Sequence, residues 1–152
     1  MAKGARKMTD VFISYHNDDE AVAQQLCEKL ERTGISVWYA GRDVMPGHLI
    51  SRAIMNAMQQ CGICVFIFSK SSVYSARISS ELEYAVKLIR DERRRTSIFP
   101  LVIDAEGKSV LPERTTQGPR WFDASEPPLE TRLEEFAQVL ARTLHEPKES
   151  AS

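Results

Sequence analysis

The side chains able to do chemistry gather in a few places along this chain. Glu81 and Glu83 stand two residues apart in Ser80-Glu81-Leu82-Glu83, and a carboxylate fixed beside a ligand stabilises positive charge that develops there. Hydroxyls, rings and one imidazole follow two apolar runs: Ser14, Tyr15 and His16 after Val11-Phe12-Ile13, and Ser69, Ser72, Tyr74 and Ser75 after Cys64 to Phe68. Cys61-Gly62-Ile63-Cys64 has redox-pair spacing, but a reactive thiolate sits at a helix N-terminus and this segment leaves a helix to enter a strand. The cysteines therefore read as small buried side chains, and without a second C-x-x-C no zinc site is expected. His16, His48 and His145 are widely spaced and no G-x-S-x-G elbow exists, so a hydrolase triad has little support. No G-x-G-x-x-G follows the first apolar run, which argues against NAD held as a redox cofactor.

A chain of 152 residues with 43% hydrophobic content suits one core and one domain. Twenty basic against twenty-one acidic residues give a net charge of −1, a balance that makes nucleic acid a poor partner. The apolar stretch after the basic N-terminus, Val11-Phe12-Ile13, is too short for a signal peptide, and the longest apolar run, Ile63 to Phe68, falls far short of the roughly 20 residues that span a bilayer. No membrane partner is expected, and the chain is expected to be cytoplasmic. Three cysteines, an odd count without an export signal, predict reduced thiols.

The elements that position these residues follow from periodicity. Asp10 to Tyr15 is β-branched and aromatic and predicts a strand; Asn17 with Glu20 resembles a capping box for a helix carrying Val22, Leu26 and Leu30 and closed by Gly34. Ile35 to Tyr39 predicts a second strand, and Ala40 to Gly47 a loop broken by glycine and proline. Leu49, Ile50, Ala53, Ile54, Ala57 and Met58 stripe the next helix, which Gly62 terminates before the strand Cys64 to Phe68. Ile78, Leu82, Ala85, Val86 and Ile89 mark a third helix whose last turn, Arg93-Arg94-Arg95, complements its dipole. Ile98 to Ile103 predicts a fourth strand despite Pro100, residues 104–120 read mostly as loop, and Trp121-Phe122-Asp123 as a very short fifth strand. Leu129, Leu133, Phe136, Leu140 and Leu144 stripe a final helix. Residues 1–8 are expected to be a disordered leader, 9–145 the domain, and 146–152 a frayed tail.

Strands alternating with helices at these lengths imply right-handed crossovers and a parallel sheet covered on both faces. In such a sheet the ligand crevice lies beyond the carboxyl ends of the strands, where strand order reverses. The strand-end residues already named border that crevice. On the third helix the apolar stripe centres near Leu82, so Glu81 lies on its flank while Glu83 points away; Ser80 to Glu83 also fits a capping box with Glu83 as the reaching acid.

Taken in order, these motifs resemble the Toll/interleukin-1 receptor (TIR) domain family over roughly Thr9 to Leu144. Asp10-Val11-Phe12-Ile13-Ser14-Tyr15 looks like its opening strand. Ile35 to Tyr39 followed by Met45-Pro46-Gly47 resembles its second strand and BB loop, and Phe68-Ser69, Ser75 and Glu81-Leu82-Glu83-Tyr84-Ala85 resemble its third strand and acidic helix. The resemblance implies an α/β flavodoxin-like three-layer sandwich with a central parallel five-stranded sheet. It also implies one of two trades, NAD+ cleavage or scaffolding through TIR–TIR contacts. In NAD-cleaving members the glutamate of the E-L pattern is catalytic, and here that position is Glu81. The implied substrate pocket draws on Ser14, Tyr15, His16, Trp38, Arg42, Asp43, Gly47, Leu49, Ser69, Tyr74 and Arg77, and the interaction loop on Val44, Met45, Pro46 and Gly47. The sequence departs from the family at Arg77, where an aromatic is common, and at Ala40, where an acid is common. Both bear on how the rings are held and hence on whether the product is linear or cyclic; Tyr74 offers a substitute stacking surface or a core side chain.

Cleavage of the nicotinamide–ribose bond passes through an oxocarbenium-like state, and nicotinamide leaves neutral from a pyridinium, so one carboxylate suffices without a general acid. The resemblance thus implies an NAD+ glycohydrolase yielding nicotinamide and ADP-ribose or a cyclic isomer. NAD+ is its substrate and no cofactor is needed. It would act as a homo-oligomer in immune, anti-phage or cell-death signalling, with a downstream effector answering the nucleotide product. The rival readings are a non-catalytic TIR adaptor and a nucleoside deoxyribosyltransferase-like enzyme.

Overall fold

Apolar strands buried on both faces need helices on both sides, and the chain supplies them in alternation. The computed structural model describes residues 9–44, 47, 49–90, 97–109 and 121–145, without the side chains of Arg77, Ile89 and Arg90. In chain order these form β1 (Thr9–Ser14), a 3-10 turn (Asn17–Asp19), α1 (Glu20–Arg32), β2 (Val37–Tyr39), α2 (Ala40–Asp43) and α3 (Ile50–Gln59). Then come β3 (Cys61–Phe68), α4 (Ala76–Arg90), β4 (Ser97–Val102), a helical segment α5 over residues 105–109, β5 (Phe122–Asp123) and α6 (Leu129–His145). All strand pairs are parallel and the order is β2-β1-β3-β4-β5.

Period-2 alternation divides the core between the faces. Val11, Ile13, Ile63, Val65, Ile67 and Leu101 meet Leu26 and Leu30 of α1 and Leu133, Phe136 and Leu140 of α6. Phe12, Cys64, Phe66, Phe68 and Val102 meet Ile54 and Met58 of α3 and Ile78, Ala85 and Leu88 of α4. Pro100 is compatible with β4 because pairing with β5 begins one residue later, at Leu101. The three cysteines are free and buried, and burial is the main cause that pushes the Cys27 thiol up to about 11. Among the described residues no helix is long and apolar enough to cross a membrane.

Several boundaries differ from the sequence-based expectation, each through a specific hydrogen bond. The box of Asn17 and Glu20 does not form: His16 Nδ1 accepts the Asp18 N–H at 3.0 Å, residues 17–19 make a 3-10 turn, and Glu20 is already the first residue of α1. Ile35 is not in β2, because its N–H donates to Leu30 O while that of Gly34 (φ +87°) donates to Glu31 O, the paired bonds of a Schellman ending. Ala40 to Asp43 is a helical turn rather than loop, with the Asp43 carboxylate accepting the Tyr39 N–H at 3.0 Å. Gly62 lies inside β3, since pairing of Cys61 with Thr9 starts the strand before it. Ser75 Oγ accepts the Ile78 N–H at 3.2 Å and starts α4, so Ser80 to Glu83 is helix interior and caps nothing. Asp104 Oδ1 accepts the Gly107 N–H at 2.8 Å and begins α5 where loop was expected. The expected leader and tail, Arg93 to Arg95, Met45, Pro46 and His48 lie outside the described residues.

Candidate active site

Helix geometry brings Glu81 inward. Ile78, Glu81, Ala85 and Leu88 recur at helical spacing on the sheet-facing side of α4 and all are buried, Glu81 to 7% exposure, whereas Glu83 is exposed. A buried carboxylate needs a polar partner. It has one in Ser14, the last residue of β1, whose Oγ donates to Glu81 Oε1 at 2.6 Å. Ser14 is itself buried and its register is fixed by pairing with Phe66 of β3. Glu81 forms part of the wall of a cleft of about 310 Å³ between α3 and α4. Ile50, Ile54, Met55 and Met58 supply an apolar wall, and Ser51, Ser80 and Tyr84 the polar groups.

A crevice beyond the strand ends was expected from sequence, but its wall on α3 was not. Ile50 and Ile54 read there as core, yet Ile50 is 57% exposed and Leu49 65% exposed, so the apolar stripe of α3 continues past the core onto the surface. Tyr84, three residues after Glu81, was the available signal.

The remaining expected site residues divide. Trp38 stacks on Phe12, with centroids 5.3 Å apart, and packs on the same sheet face as α3 and α4. Gly47 and Leu49 border a separate depression of about 380 Å³ with Arg52, Ala53 and Asn56. Tyr74 is 91% exposed, which excludes the core alternative. Arg42 and Asp43 are not beside Glu81. The Arg42 guanidinium donates to Val37 O at 2.6 Å, Glu31 at 2.9 Å and Asp43 at 3.0 Å, and lies 5.2 Å from the Tyr39 ring centre. These bonds, led by that to Asp43, hold its pKa above the usual arginine value and lock α2 onto α1. Tyr15 is buried on that same face, and its hydroxyl accepts the Gly41 N–H at 2.8 Å. Val44 closes α2 through its N–H to Ala40 O at 3.2 Å. Of Arg77 only the backbone, in the first turn of α4, is described.

Ser69 has a partner that sequence reasoning missed. Its hydroxyl donates to Asp19 Oδ2 at 2.5 Å and accepts the Ser71 and Ser72 N–H groups, each at 3.2 Å, joining the turn after β3 to the start of α1. Burial raises the Asp19 pKa above 3.8, and the Ser69 bond opposes that rise only in part. Native Asp19 therefore keeps its proton to higher pH than the unfolded chain does. Its contribution to stability grows as pH falls from neutral through the native pKa and levels off below 3.8. Asp19→Asn is expected to flatten this part of the stability curve, read by denaturant unfolding between pH 7 and pH 4. Parallel curves for both proteins would contradict it.

A parallel sheet in this order, layered by helices on both faces, is flavodoxin-like. Within that class the chain belongs to the TIR domain family, whose model matches residues 11–140. Among solved structures, the TIR domain of the Toll-related receptor TRR-2 from Hydra magnipapillata is 26% identical with a TM-score of 0.52, over 61% of this chain and 69% of that one. The RPS4 and RRS1 TIR domain heterodimer gives 16% identity and a TM-score of 0.66, over 88% of this chain and 96% of that one. A TIR-STING receptor from C. gigas, in complex with 2',3'-cGAMP, gives 17% identity and a TM-score of 0.65, over 93% of this chain and 41% of that one. No curated protein matches the sequence.

Proposed function

We propose that this TIR domain hydrolyses NAD+ at the nicotinamide–ribose bond, with Glu81 as the catalytic carboxylate. The observation that carries the reading is the placement of Glu81: buried, held by Ser14, and in the wall of a cleft of about 310 Å³. As the bond to nicotinamide stretches, positive charge spreads over the ribose, and a fixed carboxylate in a poorly hydrated site stabilises it more than water does. The ring departs neutral, so Glu81 donates no proton. Water completes ADP-ribose; attack by the adenine instead closes a cyclic isomer. NAD+ is substrate here, and the reaction uses no resident cofactor.

The exposed Leu49, just before α3, and Ile50 and Met55 on it favour a role for TIR–TIR contacts, and assembly of identical copies is part of the proposal. A cytoplasmic signalling role, with an effector that answers the nucleotide product, follows from the same reading. A scaffold without chemistry would use the same apolar surface but has no need of a carboxylate buried beside a cleft. Nicotinamide release, measured across a protein dilution series, is expected to rise faster than linearly with protein concentration. No release at any concentration favours the scaffold.

A further inference from the structure

We propose that Ser14 is a positioning residue for Glu81 rather than a substrate contact, and that its hydroxyl holds the carboxylate ionised and in one orientation. The inference rests on the proposed NAD+ cleavage for its kinetic consequence but not for its physical one. A glutamate side chain has three rotatable bonds, and on a helix flank it would sample several rotamers. Ser14 stands on a strand paired on both sides: it ends β1, is 2% exposed, and is in register with Phe66 of the neighbouring strand. A hydroxyl has one proton to give. Here it goes to Glu81 Oε1 at 2.6 Å, a length in keeping with a charge-assisted bond to a carboxylate.

Such a bond stabilises the charged form, against burial, which favours the neutral one. A nearby thiol is no substitute for the serine. Cys64 on β3 senses the charge of Glu81, but its thiol is held strongly up by the bond to Cys61 first and by burial second, so it stays neutral. Tyr84 on α4 lines the same cleft, and the α3 residues lining it, Ile50, Ser51, Ile54, Met55 and Met58, carry no charge. Ser14 is a neutral donor, fixed by the sheet, that opposes the desolvation of Glu81.

Ser14→Ala is expected to lower kcat for nicotinamide release about 10- to 100-fold, the range for loss of one hydrogen bond to a charged group, with KM for NAD+ nearly unchanged. Ser14→Thr, which keeps the hydroxyl, is expected to recover most of kcat. Independently of activity, the Glu81 carboxyl carbon followed by NMR is expected to titrate at higher pH in Ser14→Ala than in wild type or Ser14→Thr. A rise in KM with unchanged kcat would overturn the proposal in favour of a substrate contact. An unmoved Glu81 titration would overturn it whether or not the wild type cleaves NAD+. Inactive wild type with a shifted titration removes the reaction and leaves the positioning role standing.

Discussion

Glu81→Gln is expected to reduce nicotinamide release from NAD+ by about 100- to 1,000-fold, the range seen when one preorganised electrostatic group is removed from a transition state. Glutamine is the informative replacement because it keeps shape and an oxygen able to accept the hydrogen bond from Ser14 Oγ, which lies 2.6 Å from Glu81 Oε1, while removing the charge. The cleft walls should therefore stay in place. Because an ionised group held at 7% exposure costs desolvation energy, the variant is also expected to unfold at the same or a higher temperature. Lost activity with retained stability separates chemistry from folding. Equal activity in the two proteins would discard Glu81 as the catalytic group.

The largest expected effect on stability lies elsewhere, at Gly107. A Cβ added there would stand 2.4 Å from the carbonyl oxygen of Phe68, 2.6 Å from its carbon and 2.9 Å from the Ser69 nitrogen. All three are backbone atoms at the end of a central strand, so no flexible side chain can give way. Either α5 lifts from β3 or the end of β3 moves, and with it Ser69, which joins the following turn to Asp19. Overpacking of this kind costs about 1–3 kcal/mol, and Gly107→Ala is expected to lower the thermal midpoint by about 2–12 °C. Gly62→Ala serves as control, because its Cβ would meet only Asp10 O at 3.8 Å. Similar behaviour of the two variants would contradict the close approach.

The sequence made the alternation of elements legible because burial on both faces leaves continuous apolar runs such as Cys64 to Phe68, and amphipathic helices leave stripes such as Leu133, Phe136 and Leu140. The place of Glu81 on the flank of the α4 stripe was legible for the same reason, but its burial was not: Leu82, the expected centre of that stripe, is only half-buried while Glu81 is buried. Side-chain partners distant in sequence were not legible. Arg42 reads as a loop cation open to substrate, and only folding shows that Glu31 and the Val37 carbonyl occupy it. Asp19 reads as one of several polar residues after a strand, and its buried bond to Ser69 spans 50 residues. Capping residues were misplaced because Ser75 and Ser80 both fit local spacing, and tertiary packing decides which one begins the helix. The cleft wall was hidden because apolar periodicity on α3 does not distinguish the buried Met58 from the exposed Ile50.

The central claim is chemical: a single fixed carboxylate severs the nicotinamide–ribose bond. Chromatography of the nucleotides left after concentrated protein is incubated with NAD+ under crowding tests it most directly. Wild type is expected to yield nicotinamide with an equal amount of ADP-ribose or its cyclic isomer, and Glu81→Gln to leave NAD+ intact. Intact NAD+ from the wild type as well, at concentrations where the protein self-associates, would contradict it.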